Sequence, residues 1–124
     1  GNPVCCSAAI ATIKYMVDHD IPGQCKAKGE ILKKGLEELE DKYPTIIDDV
    51  RGTGLMLAME FCESEVGYSV AKGMFARGVI TAGTLVNAKC IRFEPAAVIT
   101  EEQIKAVIER LDSALADTKK EFNL

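Results

Sequence analysis

The sequence predicts an α+β fold: a two-layer small domain with a mainly antiparallel sheet of 3–4 strands, covered on one face by helices, plus an apolar helix at the N-terminus. Three observations carry this expectation. Apolar residues recur at helical spacing in several long segments. Shorter segments between them alternate with period two. Gly and Pro stand at the junctions, as turn chemistry requires.

Asn2-Pro3 opens the first helix, Asn as N-cap and Pro at the first helical position. The helix is expected to reach about Val17, and its residues Val4, Cys5, Ala8, Ile10, Ile13, Tyr15 and Val17 leave little polar face. Two readings fit it: a hydrophobic edge helix, or a helix covered by something larger in the chain or a partner. Ile21-Pro22-Gly23 reads as a break, and a second helix is expected from about Gln24 to Tyr43. Its apolar stripe is Cys25, Ile31, Leu32, Leu36, Leu39 and Tyr43, and Glu30–Lys34 and Glu38–Lys42 are spaced as i,i+4 pairs on its wet side.

Ile46 to Val50 reads as a strand, Arg51-Gly52-Thr53-Gly54 as a turn, and Leu55 to Phe61 as a second strand. Glu65 to Arg77 reads as a third helix with Val66, Val70, Ala71, Met74 and Phe75 inward, stopped by Gly78. Val79 to Ala82 reads as a third strand, Gly83 to Lys89 as a loop, and Cys90 to Phe93 as a fourth strand ended by Pro95. Thr100-Glu101-Glu102-Gln103 is a capping box that starts the last helix, whose inner residues are Ile104, Val107, Ile108, Leu111 and Leu115.

At 124 residues, 48% hydrophobic and 27% charged, the chain is one soluble domain's worth of sequence. A net charge of -4 with interspersed Lys and Glu gives no footprint for nucleic acid. No apolar run approaches the roughly 20 residues that cross a bilayer, and no signal-peptide pattern opens the chain. The five cysteines show no C-x-x-C pair and read as small buried hydrophobes in the reducing cytoplasm. His19 is the only histidine, so neither a metal site nor a Ser/His/Asp set is expected.

Arg92 is the candidate of most interest. In a strand, Ile91 and Phe93 point to one face and Arg92 and Glu94 to the other. A planar guanidinium on a rigid strand suits a bidentate grip on a carboxylate. A structural pair with Glu94 or Glu60 is the competing reading. Arg51-Gly52-Thr53-Gly54 lacks phosphate-loop spacing and reads as a tight turn. Lys89, beside a strand, has no paired aspartate or phosphate loop nearby and reads as a surface lysine. Pattern alone yields no reaction.

Taken in order, several segments resemble class III aminotransferases. Gly1-Asn2-Pro3-Val4-Cys5-Cys6-Ser7-Ala8-Ala9 looks like the family's G-N-P helix start. Asp49-Val50-Arg51-Gly52-Thr53-Gly54-Leu55-Met56-Leu57 looks like its V-R-G-x-G-L segment, and Ile91-Arg92-Phe93-Glu94-Pro95 like its late I-R-x-x-P strand. The resemblance covers essentially the whole chain. Within the family, Ala82 to Lys89, Ile91 to Pro95 and Glu63 to Tyr68 resemble the putrescine branch, with the acetylornithine and ornithine branch second.

The resemblance implies the C-terminal small domain of a dimeric enzyme using pyridoxal phosphate (PLP), with 1–20 an interdomain helix and 21–124 the α+β core. The enzyme would move an amino group from a diamine to 2-oxoglutarate. Arg92 matches the family arginine that grips a substrate carboxylate, here that of 2-oxoglutarate or glutamate. The Schiff-base lysine, the pyridinium aspartate and the phosphate-binding threonine of the family lie upstream of G-N-P. The chain alone is therefore expected to hold no cofactor, to carry no catalytic or metal-binding residue, and to be inactive without the PLP-binding large domain. A stand-alone carboxylate-binding module, or an interaction module pairing through the first helix, are the other readings.

Overall fold

The computed structural model describes residues 1–84 and 87–124. The elements run α1 (Pro3–Asp18), α2 (Ile21–Lys42), β1 (Ile47–Thr53), β2 (Met56–Phe61), α3 (Ser64–Ala76), β3 (Ala82–Gly83), β4 (Cys90–Phe93) and α4 (Glu101–Phe122). The strands form one antiparallel sheet in the order β1-β2-β4-β3. Helices α2 and α3 lie against it, and α4 packs on both helices. The expected α+β architecture is the one observed.

Side-chain parity builds the core. Val50, Leu57, Met59, Phe61, Ile91 and Phe93 face the helices, which return Leu32, Leu36, Leu39, Val66, Val70, Met74, Ile104, Leu111 and Leu115. All are buried. Caps define the helix ends as read. Asn2 Oδ1 accepts from the Val4 amide at 2.9 Å. Thr100 and Gln103 close a reciprocal capping box at 3.2 and 2.9 Å.

Several boundaries differ from the expectation. Helix α2 begins at Ile21, because the Asp20 carboxylate accepts from the Gly23 amide and Pro22 sits in the first turn, where a missing N–H costs nothing. Arg51 to Thr53 belong to β1, and the hairpin turns at Gly54-Leu55, since Thr53 pairs with Met56. The third strand is only Ala82–Gly83, because the Val79 amide is spent on the Met74 carbonyl at the end of α3. The expected loop from Gly83 to Lys89 includes Leu85 and Val86, which lie outside the described residues.

Two stripe residues face water: Ile31 is 36% and Phe75 70% exposed. The α2 pairs read as Glu30–Lys34 and Glu38–Lys42 form instead as Lys33–Glu37 and Lys34–Glu38. Lys42 is drawn off to Asp112 of α4 at 2.7 Å. The cysteines are free, and only Cys90 is buried: Cys5 and Cys6 are exposed, Cys25 and Cys62 half-buried.

Helix α1 buries none of its residues. Among the described residues it packs only on α2. Val4, Ile10, Ile13, Tyr15 and Val17 are all more than half exposed. No helix among the described residues is long and apolar enough to cross a membrane.

Helix α2 meets the β1–β2 hairpin through glycine. A Cβ on Gly29 would stand 2.2 Å from the Gly54 backbone carbonyl carbon. Gly54 itself takes the left-handed conformation, φ 53°, that the two-residue turn needs. Gly29→Ala is expected to destabilise the domain by about 1–3 kcal/mol despite alanine's better helix propensity, because backbone atoms cannot step aside. Urea unfolding of the variant checks this, and unchanged or raised stability would contradict the contact.

Candidate functional site

The sheet face away from the helices carries the polar groups. Register places Arg51, Ala58, Arg92 and Ala82 in one row across all four strands, and Asp49, Glu60 and Cys90 in the next. Arg92 is thus on the open face, as parity predicts. Its Nη1 lies 3.5 Å from Glu94 Oε1, with both side chains about two-fifths exposed. That is an ion pair of loose geometry, worth little in water. The competing reading of Arg92, a structural pair with Glu94 or Glu60, is the arrangement observed, with Glu94 as the partner.

Glu60 belongs to Arg51. One Arg51 nitrogen, Nη2, donates to Glu60 Oε2 at 2.6 Å, and Nη1 donates to Asp49 Oδ2 at 2.5 Å. Asn87 Nδ2 completes the set on Glu60 Oε1 at 3.1 Å. Hydrogen bonds from Arg51 and Asn87 hold the Glu60 carboxyl below its ordinary pKa. The hydrogen bonds that Arg51 donates to Asp49 and Glu60 raise its own pKa. Burial raises the Cys90 thiol. Arg51, read from the sequence as part of a turn, lies in β1 with Asp49 opposite Glu60, and the turn is at Gly54-Leu55.

Arg92, Glu94 and Phe93 line a cleft of about 260 Å³ whose other walls include Leu32, Val79 and Ile104. A cation at the rim of an apolar cleft fits a carboxylate on a short carbon chain. Lys89 is tied to the Cys62 carbonyl at 2.5 Å and lies 3.6 Å from Glu63. Ser7 donates to the Pro3 carbonyl, and His19 stacks on Tyr15 at 4.2 Å. Among the described residues no group of His, Cys, Asp or Glu is arranged to hold a metal ion.

The sequence profile of the family described as aminotransferase class-III matches residues 1–115, and the chain belongs to that family. The fold is shared with solved enzymes. An acetylornithine aminotransferase from Elizabethkingia anophelis superposes with a TM-score of 0.85 at 24% identity, over 93% of this chain and 30% of that one. A lysine aminotransferase from M. tuberculosis gives 0.82 at 24% identity, over 86% and 24%. The chain therefore spans less than a third of the length of either enzyme.

Class III aminotransferases generally use PLP. Lys89 does not fit that group's Schiff base, since its Nζ is held by the Cys62 carbonyl and lies 3.6 Å from Glu63.

The depressed carboxyls set an acid limit. Asp112 is also held low, chiefly by its hydrogen bond from Lys42 and then that from Tyr43. Carboxyls lowered on folding contribute stability above their unfolded pKa of about 4, and it is lost as pH falls through the lower folded values. Thermal melts from pH 6 down to about 2.5 are expected to fall below pH ~4. Glu60→Gln and Asp112→Asn should each flatten that fall; equal slopes would contradict the network.

Proposed function

We propose that the chain is the C-terminal small domain of a PLP-dependent transaminase that passes an amino group from a diamine such as putrescine to 2-oxoglutarate. The observation that carries this reading is Arg92: a strand-borne guanidinium on an open sheet face, beside an apolar cleft, with only a loose internal partner. Family membership supports the reaction class. The segments Ala82 to Lys89 and Ile91 to Pro95 support the putrescine branch.

In this reading Arg92 binds the acceptor carboxylate with two parallel N–H donors and orients the oxo-acid chain along the cleft. PLP, were it held by a large domain, would supply the electron sink for amino transfer. The donor loses its amino group and becomes an aldehyde, and 2-oxoglutarate becomes glutamate. Helix α1 is the interdomain helix, its exposed apolar side chains covered by the large domain. The working enzyme is a cytoplasmic homodimer, and the chain alone is inactive.

In the full-length transaminase, Arg92→Ala is expected to raise KM for 2-oxoglutarate about 10- to 100-fold, the loss of one charge-assisted contact of about 1.5–3 kcal/mol. KM for putrescine should stay within about twofold, since putrescine has no carboxylate to lose. Arg92→Lys should recover only part, because the ammonium lacks the fork. An unchanged acceptor KM would remove the carboxylate role. A strong preference for acetylornithine or ornithine over putrescine would favour that branch of the family. The isolated chain given PLP, putrescine and 2-oxoglutarate should make no glutamate.

A further inference from the structure

We propose that Arg51 is a positioning residue for Arg92, acting through Glu60; this rests on the reading of Arg92 as the carboxylate grip. Three acidic groups share the open face with the two arginines: Asp49, Glu60 and Glu94. Glu60 is the dangerous one. Ala58 stands directly opposite Arg92 and Glu60 opposite Cys90, so Glu60 is the diagonal neighbour of Arg92 on the same face. Diagonal neighbours in an antiparallel pair sit about 7–8 Å apart, within reach of two long side chains.

Left free, Glu60 would pair with Arg92 and compete with any substrate carboxylate. The structure prevents this by occupying both Glu60 oxygens, one by Arg51 and the other by Asn87. Arg51 is itself engaged by two carboxylates, since its second terminal nitrogen is on Asp49. It also neutralises the direct cross-strand opposition of Asp49 and Glu60. Removing Arg51 would leave Asp49 and one Glu60 oxygen without their arginine partner, with Arg92 in the diagonal position on the adjoining strand. An incoming carboxylate now displaces only Glu94, at 3.5 Å; it would then have to displace Glu60 as well.

The test uses the full-length transaminase and four variants: Arg51→Gln, Glu60→Gln, the double variant, and Arg92→Ala. Arg51→Gln is expected to raise KM for 2-oxoglutarate by about fivefold or more, with kcat and the donor KM within about twofold. The double variant should return the acceptor KM to near the parent value, because the competing acid is gone. Its melting temperature should stay below the parent's, because the network is still broken. A merely structural Arg51 would shift both KM values together and would not be rescued.

Persistence of the defect in the double variant, or no defect in Arg51→Gln, overturns the proposal. If Arg51→Gln fails to fold, Arg51→Lys replaces it and should show a smaller rise with the same rescue. Arg92→Ala separates the two failures: if it leaves the acceptor KM unchanged, the grip itself is wrong. If it raises KM and Arg51→Gln does not, only the role of Arg51 is.

Discussion

The register of β2 against β4 is the constraint on which the rest of the molecule depends. Leu57 pairs with Phe93, Ala58 with Arg92 and Met59 with Ile91. Parity then sends Leu57, Met59, Ile91 and Phe93 into the core and Ala58 and Arg92 to the open face. A slip of one residue would turn Arg92 into the helices and Phe93 into water. Burying an unpaired guanidinium would cost several kcal/mol, so hydrophobic burial and the placing of the candidate site are one decision. The same pairing places Glu60 diagonal to Arg92 on the open face.

Packing fixes that register from the helix side. The close approach of Gly29 to Gly54 seats α2 on the β1–β2 hairpin. A second glycine, Gly35, lets α2 meet α4, where an added Cβ would reach within 2.2 Å of Ile108. The polar counterpart is Asp112, which accepts from Lys42 at 2.7 Å and from the Tyr43 hydroxyl at 2.7 Å. Helix α2 is thus held along its length by glycine contacts and at its end by a charged hydrogen bond. It cannot rotate without opening one of them.

Most of the fold was legible because it rests on local signals. Period-two alternation gave β2 and β4, helical spacing gave α2, α3 and α4, and the caps at Asn2 and Thr100 are written in their side chains. What was not legible depends on partners distant in sequence. Lys42 prefers Asp112, seventy positions away, to Glu38. Phe75 stands four positions after Ala71, at helical spacing, yet faces outward. Strand parity puts Arg92 on the open face, where it lies, whereas the place of Arg51 in β1 is not legible from its own segment. Two glycines near one arginine look like a turn until the pairing of Thr53 with Met56 shows the strand passing through Gly52.

The strength of the site follows from its exposure. A guanidinium about two-fifths open to water gains little from one carboxylate, because solvent screens the pair and both side chains lose freedom in forming it. The same contact under a covering surface would lose that screening and grow several-fold in electrostatic worth. Helix α1, with no buried residue, presents apolar surface of the sort that a second protein surface covers. The two features have one physical logic. The domain holds an arginine on a strand with only a loose partner. In the proposed reading, closing protein over it would turn that loose cation into a grip.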